Sequence, residues 1–252
     1  MGRAKEIIVK VIPSKIANNF VKKHHYSGKV VANSSLHFGC FLDDKLHGVM
    51  SYGSPLDKRK VLPMVKDTKW NEMLELNRMA FDDVLPKNSE SRCISISFKL
   101  LKKNAPHIKW ILSFADSTQC GDGTIYRASG FNLTNIKVNN SIWQAPNGES
   151  FSETSLRPGI GGNKTIKKAE TISRTTVPKG KHLEASGGKS SMKRFKDVGW
   201  KPIDGFQLRY IYLIDKSCKI TVPILPFSEI DKRGAGMYKG EKITIDERRK
   251  KE

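Results

Sequence analysis

The chain has 252 residues, 45 Lys and Arg against 25 Asp and Glu, and a formal charge of +20 at neutral pH. That length can bury a core in one domain or two, and the charge favours a polyanionic partner, nucleic acid ahead of a membrane surface. No apolar run approaches the roughly 18 residues of a membrane span, and the first residues lack the apolar core of a signal peptide. Cys40, Cys93, Cys120 and Cys218 form no Cys-x-x-Cys pair, which argues against structural zinc and a disulfide framework. A cytoplasmic, reducing setting without membrane contact is expected.

In chain order, residues 7–12 read as a strand. Pro13 opens a helix through Lys23, with Ile16, Phe20 and Val21 on its buried face. The helix runs into His24-His25-Tyr26-Ser27-Gly28. Residues 36–41 and 46–52 flank Asp43-Asp44-Lys45, a hairpin signal. The charged stretch Asp57-Lys58-Arg59-Lys60 reads either as a solvated turn or as a phosphate contact. Trp70 reads as a packing residue.

The central stretch carries the most information. Residues 74–81 read as a strand and residues 85–92 as a polar loop. A helix follows to Lys103, with Ile94, Phe98 and Leu101 on one stripe. Asn88 or Ser89 can cap its start, and Asn104 and Pro106 end it. Residues 109–116 are nearly all apolar up to Asp116, as in a strand covered on both faces. Strand, crossover helix and strand predict a right-handed βαβ unit with parallel strands. Asn88, Ser89, Glu90, Ser91, Arg92 and Asp116 then gather beyond the carboxyl ends of those strands, the edge where open α/β sheets collect ligands. A helix start favours an anion, and Arg92 adds a donor fork. An ordinary helix cap is the alternative.

Past Phe131 the character changes. Residues 132–155 hold one or two short strands around Trp143. Residues 158–196 are rich in Gly, Ser, Thr and Lys, including Gly161-Gly162, Lys167-Lys168 and Lys189, and read as a mobile basic loop. Residues 206–214 alternate as a strand, and Asp215-Lys216-Ser217 turns it towards a partner at residues 220–222. The tail with Arg248-Arg249-Lys250-Lys251 reads as exposed. The expected division is therefore a core over residues 1–157, a flexible DNA-contacting loop over 158–200, and added strands with a basic tail over 201–252.

The order of strand, phosphate-type loop, long helix, strand and short helix ending in Gly130-Phe131 resembles the GNAT acyltransferase fold. More narrowly, Pro86-Lys87-Asn88-Ser89-Glu90-Ser91-Arg92, Ile108-Lys109-Trp110-Ile111 with Ala115-Asp116, and Gly123-Thr124-Ile125-Tyr126 resemble phage Mom proteins. The likeness covers roughly residues 21–131. It implies a mixed α/β, GNAT-like fold with a basic loop insertion and extra carboxyl-terminal strands. It also implies a methylcarbamoyl-type modification of adenine in duplex DNA that protects phage DNA from restriction, with acetyl-CoA or a related acyl-CoA as donor.

Under that resemblance Tyr126 stands where many GNAT enzymes keep a tyrosine that protonates the departing thiolate; a phenol with an ordinary pKa near 10 suits a proton donor. A core tyrosine is the alternative. Asp116 could accept from the adenine amine or cap the following loop, and Asp122 is a weaker candidate in a Gly-Asp-Gly turn. Asn88, Ser89, Ser91 and Arg92 would hold the pyrophosphate, although the loop lacks the usual glycines. His25-Tyr26 matches a pair associated with Mom proteins, and a His, Tyr and carboxylate set would suit iron better than structural zinc. No His-x-x-x-His spacing supports a metal. Asn77 and Arg78 lie mid-strand and need partners if buried; Arg78 is placed in the cleft. Lys58, Arg59, Lys167 and Lys168 are the DNA backbone contacts. An adenine in duplex must be extruded to react, and Tyr26, Tyr52 or Trp70 could stack on it. The rival readings are an acyltransferase for another amine and a non-catalytic basic DNA-binding protein.

Overall fold

The computed structural model describes residues 3–156, 163–183, 192–238 and 241–242. Strand β1 (Ile8–Val11) is followed by α1 (Ser14–His24) and the hairpin β2 (Ser34–Leu42) and β3 (Lys45–Gly53). Asp43 and Asp44 at the hairpin turn have φ of 50° and 59°, the left-handed pair that matches strand twist. Ala17 and Val21 form the buried stripe of α1, whereas Ile16, expected inside, is 47% exposed. The helix begins at Ser14 and its inner face is the Ala17, Val21 row, with Phe20 only half buried beside it.

A short helix α2 (Lys58–Val61) precedes β4 (Met73–Phe81), α3 (Ser89–Asn104) and β5 (Trp110–Asp116). Helix α3 buries Cys93, Ile94, Ser97, Phe98 and Leu101, and the Tyr52 and Ser97 hydroxyls meet at 2.7 Å across the interface. Strands β4 and β5 are parallel, as a right-handed crossover requires. Two short helices, α4 (Ser117–Cys120) and α5 (Thr124–Ala128), lead to β6 (Asn132–Val138).

The described residues between 139 and 203 leave the main sheet. Strands β7 (Ile142–Gln144) and β8 (Ser150–Ser152), helices α6 (Glu153–Leu156), α7 (Asn163–Thr176) and α8 (Met192–Asp197), and strand β9 (Lys201–Ile203) build a small layer with sheet order β8-β7-β9. For residues 163–183 and 192–200 the expectation of a mobile basic loop is corrected here. Ala169, Ile172, Leu183, Phe195 and Trp200 are buried with Trp143 and Leu156 in a core of their own. Ala169 and Ile172 are three apart on one face of α7, a spacing easily lost among the surrounding lysines. Gly161-Gly162, Lys189 and the Arg248-Arg249-Lys250-Lys251 tail lie outside the described residues.

The chain then returns as β10 (Phe206–Leu213) to complete a seven-stranded sheet in the order β1-β2-β3-β4-β5-β10-β6. The mixed α/β class expected from the sequence is the one formed. Strand β10 is interior, paired antiparallel with both β5 and β6. Residues 220–222 do not pair with it as expected; Ile220 instead makes a single bridge to Val65. Among the described residues no helix is long and apolar enough to cross a membrane.

Candidate active site

The site arises where pairing between β4 and β5 stops. The two strands share only Met73↔Trp110 to Leu76↔Ser113. The buried Ser113 hydroxyl donates to the Leu76 carbonyl at 3.0 Å, closing the fork. Beyond it, residues 77–81 and 114–116 face each other across a cavity of about 350 Å³.

A bulge sets which side chains enter. Arg78 pairs with Ser51 and Leu76 with the very next residue, Tyr52, so Asn77 is the extra residue. Such an insertion breaks strict alternation and re-aims side chains, and both Asn77 and Arg78 line the cavity. Asn77 Oδ1 accepts from the Ser34 hydroxyl at 2.8 Å, while its buried Nδ2 has no partner among the described residues. Arg78 donates from Nε to the Lys29 carbonyl at 3.0 Å, which ties the segment after α1 to the fork.

Asp116 ends β5, and one carboxylate oxygen accepts from the Thr118 N–H at 3.1 Å. Burial raises its pKa, opposed by the Thr118 hydrogen bonds. His25 ends α1. Its Nδ1 accepts from the Ser27 N–H at 3.1 Å, so in the neutral ring Nε2 carries the proton. Burial, and then the Arg78 charge, push its pKa down to about 4, which keeps it a neutral donor at physiological pH. Tyr26 packs its ring 4.2 Å from that of His25 and is 55% exposed.

Tyr126 is delivered by α5. Asp122, nearly fully buried, accepts from the Thr124 N–H at 3.0 Å and pairs with Arg127 at 3.1 Å; it fixes the start of this helix. Gly123 before it has φ of +73°, and a Cβ there would meet the Tyr210 ring at 2.7 Å. The Tyr126 ring then rests 5.2 Å from both Phe131 and Tyr210.

The cavity thus brings together His25, Tyr26, Asn77, Arg78, Asp116 and Tyr126. Glu90, placed at the ligand edge from the sequence but given no role, also lines it, as do Met79 and Phe114, which were not selected. Of the stacking candidates, Tyr26 alone lines the cavity; Tyr52 is fully buried.

The other candidates fall elsewhere. Ser89 is fully buried and its hydroxyl donates to the Pro86 carbonyl, so it shapes the turn rather than facing a ligand, a correction to its expected role. Ser91 donates to the Asn88 carbonyl at 3.2 Å and Arg92 to the Lys5 carbonyl at 3.2 Å. Asn88 has φ of 68° and gives α3 no side-chain cap. Lys58 and Arg59 lie in α2, outside the cavity. Trp70, expected to pack inside, is 57% exposed with the Lys58 ammonium 3.9 Å above its ring. Lys167 and Lys168 are exposed on α7, and Lys168 pairs with Glu149. Among the described residues no group of three His, Cys, Asp or Glu side chains is placed to hold a metal ion. The iron weighed from the sequence for a His, Tyr and carboxylate set gains no such cluster among the described residues.

The chain matches a family model described as the Mom protein family over residues 6–229. A curated relative, methylcarbamoylase mom of Escherichia phage Mu, is 36% identical over 154 residues, which are 61% of this chain and 63% of that protein. The match therefore spans less than two thirds of the relative's length. Among solved structures, spermidine/spermine N-acetyltransferase SpeG from Vibrio cholerae aligns with 86% of this chain and 97% of its own, at 7% identity and a TM-score of 0.44. The IAA acetyltransferase of Bacillus cereus aligns with 82% of this chain and 99% of its own, at 9% identity and a TM-score of 0.41. With its family model matched across most of its length, the chain belongs to the Mom protein family.

Proposed function

We propose that this protein transfers the acyl group of a coenzyme A thioester to the exocyclic amine of adenine in duplex DNA. Such a modification would shield phage DNA from restriction. One observation carries the reading: Asp116, Tyr126, His25 and Arg78 converge with the Asn77 Nδ2, which has no partner among the described residues, in one cavity at the fork of β4 and β5.

The residues suit a thioester donor. The fork leaves strand edges that an extended, amide-bearing arm can pair with, and the Asn77 Nδ2 is a buried donor awaiting an acceptor. The start of α3 has no side-chain cap, and although the Ser89 N–H donates to the Pro86 carbonyl, the N–H groups of Glu90 and Ser91 would suit a diphosphate. When bound, the thioester supplies an activated carbonyl and a thiolate leaving group. Asp116 would accept the amine proton as the new N–C bond forms, with a pKa raised by burial that makes it a better base. His25, neutral with Nε2–H, would donate to the carbonyl oxygen as it gains charge. Tyr126 would give its proton to the sulfur as the C–S bond breaks. Tyr26, on the rim, would stack on the extruded adenine.

The +20 charge supports DNA over a small amine as the acceptor. The test is release of coenzyme A thiol by purified protein given acetyl-CoA, with and without duplex DNA. DNA-dependent release accompanied by an adenine mass shift is expected. Release unaffected by DNA would point to another amine, and no release with any acyl-CoA would remove the donor assignment.

A further inference from the structure

A second cavity, of about 630 Å³, adjoins the first. Tyr26 lines both. Its far wall belongs to the small layer, through Ser150, Phe151 and Ser152 of β8 and Thr165 and Lys168 of α7. Its near wall includes Lys29, whose carbonyl is held by Arg78 at the fork. The two cavities are thus neighbours linked through one aromatic side chain and one arginine.

The second lining has its own chemistry. Lys29 offers positive charge, and Lys168 is ion-paired with Glu149, whose carboxylate also lines the cavity. The serine and threonine hydroxyls offer both donors and acceptors, and Tyr26 and Phe151 offer ring faces. An aromatic ring beside hydroxyls and ammonium groups suits a base with its sugar-phosphate, because stacking and phosphate neutralisation are the two terms that hold an unpaired nucleotide. It suits a peptide or an acyl chain less well, since neither needs hydroxyls and cations together. The cavity sits in the 300–1,000 Å³ range of ligand pockets.

We propose that this second cavity receives the unpaired nucleotide that adjoins the target adenine, with Tyr26 as the partition between the two bases. The inference rests on the reading that DNA is the substrate. It adds that two consecutive nucleotides leave the stack, one reacting at the fork and one lodged beneath the small layer. The small layer then acts as the outer wall of a strand-binding groove.

The test compares equilibrium binding to duplexes carrying either a one-nucleotide or a two-nucleotide adenine bulge. The wild-type protein is expected to bind the two-nucleotide bulge roughly tenfold more tightly, the equivalent of one stacked base. Ser150 is exposed, so Ser150→Trp fills the cavity without disturbing a core; it should bind both bulges equally while its thermal unfolding is unchanged. Thr165→Trp, on α7 in the same far wall, should do the same. Equal affinity of wild type for the two bulges, or a preference that survives both substitutions, would overturn the proposal. Failure of the underlying reading is seen separately, as the absence of any adenine product with the wild-type protein and perfect duplex.

Discussion

Strand β5 has two unlike edges. Along β10 it is paired from Trp110 to Asp116, over its whole length. Along β4 it is paired only as far as Ser113. The first edge is ordinary sheet, with every ladder position met by a neighbour. The second opens a cleft three residues before the strand ends, and the side chains with shifted pKa values at His25 and Asp116 stand around that opening. The site is thus made by withholding pairing from one side of a strand that the other side holds rigid. Catalytic groups carried on sheet and helix are placed more reproducibly than groups on a mobile loop.

The largest expected effect comes from disabling the open side. Asp116→Asn retains an acceptor for the Thr118 N–H but loses the proton acceptor, and should lower adenine modification by roughly 10²–10⁴-fold, read by nucleoside mass spectrometry, with little change in unfolding temperature. Activity of the wild type should also fall as pH is lowered through the raised Asp116 pKa. An Asp116→Asn protein with wild-type activity would make the aspartate a cap and nothing more.

Next in size is the small layer, which has a core apart from the main sheet. Trp200→Ala removes a fully buried indole and should cost about 3–5 kcal/mol. If the layer melts as its own unit, calorimetry will show an early transition while the main sheet survives. A single transition lowered as a whole would join the two regions into one cooperative structure.

Gly123→Ala tests the support of Tyr126 from the paired side. The left-handed backbone and the overlap with Tyr210 should together cost about 3 kcal/mol, measured by denaturant unfolding. Full stability would show that α5 can shift without strain.

The smallest effect is on the paired half of the fork. Glu75, opposite Leu112, has its pKa raised to about 7 by burial, with Arg78 acting against that. The folded state therefore holds this proton longer than the unfolded chain, whose glutamates titrate near 4.3. Its burial costs nothing below that value and progressively more as pH rises to about 7. Glu75→Gln should thus stabilise the protein above pH 7 by on the order of 2 kcal/mol and leave it unchanged below about pH 4. An equal gain at both pH values would remove the ionisation as its cause.

Much of this was legible in the sequence because it is local. The apolar run at residues 110–115 and the Ile94, Phe98, Leu101 stripe specify β5 and α3, and together they force a parallel pair. Asp116 could be named from its place at a strand end, whereas His25 and Tyr126 were named from the resemblance to Mom proteins and GNAT enzymes. What remained hidden depends on contacts distant in sequence or on broken periodicity. The bulge at Asn77 upsets the alternation by which one face would be told from the other, so alternation could not show that Asn77 and Arg78 both reach the cavity. Strand β10 follows residues 139–203 yet enters beside β5, a pairing no local pattern encodes. Helix α7 hides its apolar row in a lysine-rich segment. Ser89 looked like a ligand contact because a hydroxyl at a helix start serves equally well to close the turn, and burial decides between the two.

The central claim is that the fork of β4 and β5 carries chemistry on adenine, and Tyr126→Phe isolates it. The measurement is mass spectrometry of nucleosides from DNA of cells expressing the wild-type protein beside cells expressing Tyr126→Phe at equal level. The account predicts a mass-shifted adenine nucleoside with the wild type and its loss or steep reduction with the variant. An unmodified nucleoside pool with the wild type, or equal modification by both, would contradict it.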